Sequence, residues 1–269
     1  MKRHKSRRVA ERNQDILERI KELKKEHPLW GYRRVWAYLK YREDLPVNRK
    51  RIYRLMKEKD LLVTKENKLK AKRGKHPYKS KPRATSPNSI WGIDMTKIMI
   101  QGEGWAYLQV VLDWYTKKVV GYNLSLRSKT SDWLDALNRA LNYQFPLGIR
   151  DTLGDKTLHL VSDNGSQPTS IGFMKACKEL SIKQIFTSYN NPKGNADTER
   201  VLRTLKEDLI WINEFYSFEE LRQALEGWFW RYNNDYPHSS LDYRTPSEFE
   251  EDYYRKREGW EEETQLIYA

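Results

Sequence analysis

Apolar residues recur at helical spacing in three short segments near the beginning of the chain. Ile16, Ile20 and Leu23 predict the first helix, and Asn48 stands where the N-cap of the third helix is expected. The other two apolar sets are Tyr32, Val35, Trp36 and Leu39, and Ile52, Leu55 and Met56. This spacing predicts a small all-α unit of three helices.

After residue 90 the pattern alternates between strand-like and helix-like segments. Strands are predicted over residues 89–101, 105–114, 118–125, 158–161 and 184–188, and helices over residues 130–145 and 171–180, around Glu199, and over residues 219–232. The order predicts an α/β (α+β) fold, in which a mixed five-stranded sheet is flanked by helices. Trp211, Trp228 and Trp230 lie in helical apolar patterns and are predicted to be buried.

Breaks in these patterns divide the chain into four predicted parts. Residues 1–62 form the helical unit, residues 91–213 the α/β core, and residues 214–269 a C-terminal helical extension. Residues 63–90 hold nine Lys and Arg with one acid, together with three prolines, and are predicted to be a basic linker.

The net charge of +13 is unevenly distributed between the two halves of the chain. Residues 1–90 carry a charge of +19, whereas residues 91–269 carry −6. A lysine-rich surface can serve solubility alone, but this asymmetry favours a polyanion as the partner of the first half. No run of 18 apolar residues is present, and Cys177 is the single cysteine, so we expect a soluble, intracellular protein with no membrane contact and no intrachain disulfide.

Basic residues cover the polar face of the third predicted helix. They are Arg49, Lys50, Arg51, Arg54 and Lys57, and Lys72 and Arg73 follow in the linker. A helix-turn-helix presents its second helix to the DNA major groove with such a cationic face, so residues 1–62 are predicted to be a DNA-binding domain. The alternative is a charged helical bundle whose faces are only solvated.

Three carboxylates, Asp94, Asp163 and Glu199, carry the candidate chemistry. The two aspartates end or interrupt short apolar runs, the glutamate opens a helical pattern, and 35 residues separate Asp163 from Glu199. Mg²⁺ and Mn²⁺ prefer oxygen ligands, and a pair of these ions can activate an attacking oxygen and stabilise a leaving oxygen in phosphoryl transfer. The three residues are therefore predicted to bind metal, with a phosphodiester as substrate.

Several neighbouring polar residues have two interpretations. Asp113 also follows an apolar run, and its neighbours favour a turn-capping role instead of a catalytic one. Arg203 and Lys206 share a helical face with Glu199 and could hold a DNA strand, although Arg203 could instead form an ion pair within its helix. Asn164 could orient water or DNA near the metals, or could be an ordinary turn residue.

The carboxylate spacing and its flanking residues resemble those of the DDE transposases and integrases. The matching segments are Trp91-Gly92-Ile93-Asp94-Met95-Thr96, Val161-Ser162-Asp163-Asn164-Gly165 and Asn195-Ala196-Asp197-Thr198-Glu199-Arg200, followed by a tail from Tyr232 to Leu241. Within that group the chain is most similar to second-frame products of the IS-three family of insertion sequences. The resemblance implies a ribonuclease-H-like catalytic core and makes Lys206 the basic residue that often follows the catalytic glutamate by seven positions.

The resemblance also implies an activity and a set of partners. The expected reactions are metal-dependent cleavage at insertion-sequence ends and strand transfer of the 3′-hydroxyl into DNA, with two Mg²⁺ or Mn²⁺ ions. The expected partners are double-stranded DNA, at least one further copy of the chain on that DNA, and an upstream-frame protein, in the cytoplasm and nucleoid of a bacterium. The alternatives are a structure-selective nuclease of the same fold and a non-catalytic DNA-binding regulator derived from a transposase.

Overall fold

The computed structural model describes residues 7–63, 82–154, 156–187 and 194–268. The chain forms two compact units, the first comprising residues 1–75 and 237–243 and the second residues 76–236 and 244–269. Most of the predicted linker, including Lys72 and Arg73, lies outside the described residues. The boundaries of the four predicted parts remain predictions.

The described residues of the first unit form the helices α1 (Arg7–Glu26), α2 (Tyr32–Tyr41) and α3 (Arg49–Glu58). The predicted apolar positions meet in its core, where Ile20, Leu23, Val35, Leu39, Ile52 and Met56 are fully buried. Asn48 caps α3 as predicted, because its side-chain oxygen accepts a hydrogen bond from the Lys50 backbone N–H at 2.8 Å. The segment Pro237–Tyr243 belongs to this unit, and Tyr243 packs on Trp36 and Tyr41 at ring-centre distances of 5.3 and 5.9 Å.

The second unit contains a five-stranded mixed sheet with helices. Its strands are β1 (Ile90–Ile100), β2 (Gly104–Asp113), β3 (Val119–Ser125), β4 (His159–Ser162) and β5 (Lys183–Phe186). Its helices are α4 (Thr130–Gln144), α5 (Ile149–Leu153), α6 (Ile171–Glu179), α7 (Ala196–Leu205), α8 (Phe218–Asn234) and α9 (Pro246–Tyr268), with a π-helical turn at Lys206–Ile210 after α7. The intervening 3-10 turn Ser239–Leu241 lies in the first unit.

The strands follow the spatial order β3-β2-β1-β4-β5. β1, β2 and β3 pair antiparallel along the chain, whereas β4 pairs parallel with both β1 and β5. This is the ribonuclease-H-like arrangement that the order of elements predicted. It places β1 at the centre of the sheet, between β2 and β4.

Side-chain alternation along β1 separates the core from the candidate site. Trp91 and Ile93 join a buried cluster with residues of α4 and α6, including Trp133, Leu137 and Phe173. Successive side chains of a strand point to opposite faces, so Gly92 and Asp94 lie on the other face of the sheet. That face is where α7 packs against β1 and β2.

Two of the three tryptophans predicted to be core residues are exposed. Trp228 is buried in α8, but Trp230 is 65% exposed because it lies two residues, about 200°, further around the helix. Trp211 is 61% exposed because the π-helical turn at Lys206–Ile210 changes the facing of the residues that follow it. Within the described ranges, none of the helices combines the length and apolar character that a bilayer crossing requires.

Candidate active site

The sheet register brings Asp94 on β1 and Asp163, directly after β4, to equivalent positions along two adjacent parallel strands. The last paired residues of β1 and β4 are Gly92 and Val161, and each aspartate lies two residues beyond its member of that pair. Adjacent strands are about 5 Å apart, and a two-residue step returns each side chain to the same face. Asp94 and Asp163 therefore share one face at the carboxyl end of the parallel pair.

Glu199 reaches this face from the first turns of α7. Thr198, its neighbour, is fully buried, and the Thr198 hydroxyl accepts a hydrogen bond from the Trp114 indole N–H at 3.1 Å. Asn195, directly before α7, donates from its side-chain amide to the Ile93 carbonyl at 3.3 Å. The beginning of α7 is thus attached to β1 beside Asp94, while the Glu199 side chain itself is exposed.

The electrostatic environment of Asp94 connects the three carboxylates. Burial raises the pKa of Asp94 to about 7, and the negative charges of Asp163 and Glu199 act in the same direction. The hydrogen bond from the Met95 backbone N–H, at 2.8 Å, and the positive charge of Lys206 oppose this rise in the pKa of Asp94. A carboxyl group in these surroundings is stabilised by a nearby cation.

The carboxylates approach one another without forming a closed metal cage. Among the residues that the structure describes, no group of three or more His, Cys, Asp or Glu side chains is arranged to hold a metal ion. Asp163 is exposed, and one of its oxygens accepts the Gly165 backbone N–H at 3.0 Å. The arrangement is an open cluster of oxygen donors with like charges.

Asp113, the other carboxylate that follows an apolar run, has a different environment. It is fully buried and accepts backbone N–H groups of Asn88 at 2.6 Å, Tyr115 at 2.6 Å and Thr116 at 3.2 Å. The bonds from Tyr115 and Thr116 close the turn between β2 and β3, which is the turn-capping role predicted for Asp113, and the bond from Asn88 ties this turn to the segment before β1. Burial nevertheless raises the pKa of Asp113 to about 6.

The polar neighbours of the site make the following contacts. Lys206 begins the π-helical turn and is half-buried, and its charge acts on Asp94. Arg203 forms an ion pair with Glu207 at 2.7 Å, four residues further along the helix, which is the alternative interpretation of this residue. The Asn164 side chain donates to the Thr187 carbonyl at 2.6 Å and so connects the ends of β4 and β5.

The basic face of α3 lies in the first unit and is largely open to solvent. Arg49, Lys50, Arg54 and Lys57 are exposed, whereas Arg51 is partly buried and its guanidinium donates to the Asn13 side chain at 2.9 Å. Arg51 thus connects α3 to α1, a contact that the periodicity of α3 alone does not reveal.

Sequence reasoning missed the residues that attach α7 to the sheet. A Cβ atom on Gly92 would lie 2.0 Å from the Thr198 hydroxyl oxygen, 2.4 Å from the Trp114 indole nitrogen and 2.9 Å from the Asn195 side-chain oxygen. A glycine inside a strand is the signal that could have found them, because it often marks a close approach of another element.

Family models match nearly the whole chain. Two models described as the integrase core domain match residues 84–192 and 180–246, and a model described as an HTH-like domain matches residues 11–74. The HTH-like match covers most of α1 and all of α2 and α3, and the integrase matches cover the sheet, α7 and α8.

Relatives over most of the chain are transposases of bacterial insertion sequences. The transposase for IS904 of Lactococcus lactis is 31% identical over 62% of this chain, and this chain spans 63% of its length. The Escherichia coli strain K12 protein named as the transposase for IS150 is 29% identical over 90% of this chain and 85% of its own. The E. coli transposase for IS2 is 26% identical over 87% of this chain and 78% of its own.

A solved structure shares the fold. A chain of the simian T-cell lymphotropic virus intasome, solved in complex with the PP2A regulatory subunit B56 gamma, matches with a TM-score of 0.52 and 19% identity. The match covers 80% of the present chain and 73% of the viral-complex chain. At this identity the likeness concerns the fold alone.

Proposed function

This chain belongs to the integrase-core transposases of insertion sequences, and we propose that it cleaves DNA at the ends of an insertion sequence and joins the resulting 3′-hydroxyl to target DNA. Asp94, Asp163 and Glu199 are the proposed catalytic residues. The observation that supports this assignment is their convergence on β1: β4 pairs with β1 in parallel, α7 packs on β1, and the charges of Asp163 and Glu199 act on Asp94.

The donor set fits divalent metal ions of the magnesium or manganese type. All three side chains offer carboxylate oxygens, which these ions prefer, and the partly buried Asp94 lies beside two further negative charges. We propose that these three residues hold two such ions. The ions would supply activation of the attacking oxygen and stabilisation of the leaving oxygen, as in two-metal phosphoryl transfer.

The remaining work at the site is positioning of DNA by protein side chains. Lys206, whose positive charge acts to lower the pKa of Asp94, is proposed to hold a phosphate of the strand that is cut. Arg203 and Asn164 also lie near the carboxylates in sequence and are proposed to contact DNA, although each has a protein partner in the free chain.

The basic face of α3 is proposed to bind the DNA of the insertion-sequence ends. Exposed Arg49, Lys50, Arg54 and Lys57 could reach phosphates and base edges of a major groove, and Arg51 could do so if it left Asn13. Lys72 and Arg73 are proposed to contact phosphates without reading sequence. Weaker discrimination between end and unrelated DNA in an Arg54→Ala variant would support base readout by this helix, and unchanged discrimination would contradict it.

We propose that at least two copies of the chain act together on double-stranded DNA, because the two ends of an insertion sequence would be joined in one event. An upstream-frame protein is proposed as a further partner. The proposed location is the nucleoid of a bacterial cytoplasm.

Single-turnover incubation of the protein with candidate terminal DNA and Mn²⁺ tests the proposed reaction. Nicks together with joined products are expected. Nicks alone would indicate a nuclease, and binding without either product would indicate a regulator.

A further inference from the structure

We propose that the turn between β2 and β3 positions Glu199 for the reaction, with Trp114 and Thr198 as its main positioning residues. We call residues 113–118 the positioning turn. The consequence for metal binding depends on the function proposed above, whereas the contacts themselves are features of the fold.

The positioning turn is held firmly from within. Asp113 accepts the backbone N–H groups of Tyr115 and Thr116, and the Lys117 N–H donates to the Asp113 carbonyl at 2.9 Å. Lys117 has a φ of 61°, in the left-handed region that such a tight turn requires. The Trp114 N–H donates to the Ile90 carbonyl at 3.0 Å, which anchors the turn to the beginning of β1.

Two side chains of the positioning turn contact the first turn of α7. The Trp114 indole N–H donates to the Thr198 hydroxyl at 3.1 Å, and both residues are buried. The Lys117 ammonium lies 3.3 Å from the Asp197 carboxylate. Thr198 and Asp197 directly precede Glu199, so these contacts act on the segment of helix that carries the glutamate.

Gly92 allows this attachment to be unusually close. Its missing side chain leaves room for the Thr198 hydroxyl, the Trp114 indole and the Asn195 side chain, all within 3.0 Å of where a Cβ atom would be. Gly92 is two residues before Asp94 on the same face of β1. The contact that admits α7 is therefore made beside the first catalytic carboxylate.

Glu199 depends on this attachment because its own side chain makes no hydrogen bond or ion pair with the described residues. Its place relative to Asp94 is set by the position of α7, and that position is set by the buried Trp114–Thr198 bond and the Asn195–Ile93 bond. A misplacement of about 1 Å can cost about a hundredfold in a reaction that requires fixed geometry. A small loss of attachment should therefore affect the reaction more than the stability.

The substitutions Thr198→Val and Thr198→Ser form a matched pair for the test. Valine keeps the shape but removes the acceptor for Trp114, whereas serine keeps the hydroxyl. In metal-free protein, Thr198→Val should accelerate amide hydrogen exchange in residues 196–205 by about three- to tenfold, while Thr198→Ser stays near the wild type. Equal exchange in wild type and Thr198→Val would contradict the proposed attachment.

Mn²⁺ affinity, read from the electron paramagnetic resonance of the free ion, tests the link to Glu199. Thr198→Val should weaken Mn²⁺ binding by about tenfold. In the Glu199→Gln background the same substitution should change nothing further. Equal weakening in both backgrounds, or no weakening by Thr198→Val when Glu199→Gln alone does weaken binding, would overturn the positioning role. If Glu199→Gln itself leaves Mn²⁺ binding unchanged, the proposed metal site fails instead.

Discussion

Asp94 and Asp113 lie on adjacent strands and both have raised pKa values, yet the two carboxylates differ in the hydrogen bonds that they accept from the backbone. Asp113 is fully buried and accepts three backbone N–H groups, two that close its turn and one from Asn88 before β1. Asp94 accepts one backbone N–H and faces two further negative charges. A carboxylate with its hydrogen bonds supplied by the backbone is structural, whereas one left among like charges is available to a cation.

The largest effect expected from this contrast is on DNA cleavage. Asp94→Asn should lower the rate of nicking and joining by on the order of a thousandfold or more, because an amide is a poor ligand for the proposed metal ions, which would stabilise the charge that develops in the reaction. Its fold should be kept, since the amide oxygen can still accept the Met95 N–H. Single-turnover cleavage measures this, with exposed Asp135→Asn on α4 as the matched control.

A large effect on stability is expected at the other aspartate. Asp113→Ala should lower the free energy of unfolding by about 2–4 kcal/mol at pH 5, because it leaves three buried backbone N–H groups without their acceptor. Asp94→Asn should change the free energy of unfolding by less than about 1 kcal/mol. Urea denaturation followed by tryptophan fluorescence compares the two, and equal losses would remove the distinction between the sites.

Substitutions of Asp94 and Asp113 should also differ in their effect on Mn²⁺ affinity, by a smaller factor than the one expected for DNA cleavage. Asp94→Asn should weaken Mn²⁺ binding by about tenfold or more, because one ligand is lost. The Asp113→Asn variant should bind Mn²⁺ more tightly than the Asp94→Asn variant at a temperature where both variants are folded. Titration calorimetry gives both values. Tighter Mn²⁺ binding by Asp94→Asn than by Asp113→Asn would contradict the assignment of Asp94 as a metal ligand.

The smallest effect expected is a pH dependence at Asp113. Burial and the charge of Glu250 raise the pKa of Asp113 to about 6, although its three backbone hydrogen bonds oppose this. A carboxyl whose pKa is raised by folding favours the folded state when protonated, and that contribution is lost as pH rises from about 4 through about 6. The stability difference between wild type and Asp113→Ala should therefore shrink by on the order of 1 kcal/mol between pH 4.5 and 7.5. A stability difference that grows with pH would show that the folded state favours the deprotonated carboxylate of Asp113.

The fold was largely predictable because its elements are marked by local patterns. The alternation along β1, the apolar sets of α1 to α3 and the Asn48 cap are each properties of a few neighbouring residues. The exposure of Trp211 was not predictable, since the π-helical turn before it depends on how α7 packs. Burial and partners of a residue in the middle of a helix are set by elements distant in sequence.

In the candidate site, too, features set by neighbouring residues were predictable, whereas contacts between distant parts of the sequence were not. Flanking residues and spacing pointed to Asp94, Asp163 and Glu199, whose catalytic roles stay predictions. They also pointed to a turn role for Asp113, which the structure confirms. The contact of Trp114 with Thr198 spans 84 positions in the sequence, and no local pattern connects the two. Gly92 was the one local sign that another element approaches the strand there.

Replacement of the proposed Mg²⁺ by Fe²⁺, followed by ascorbate and peroxide, tests whether Asp94, Asp163 and Glu199 share one metal site, because hydroxyl radicals formed at the bound ion cut the polypeptide beside its ligands. The three proposed catalytic carboxylates come from separate parts of the sequence, so we expect three sets of cuts, near residues 94, 163 and 199, that Mg²⁺ suppresses. Glu199→Gln should reduce all three sets together. Cuts that occur near only one of the three carboxylates, or three sets that respond differently to Glu199→Gln, would contradict a shared metal site.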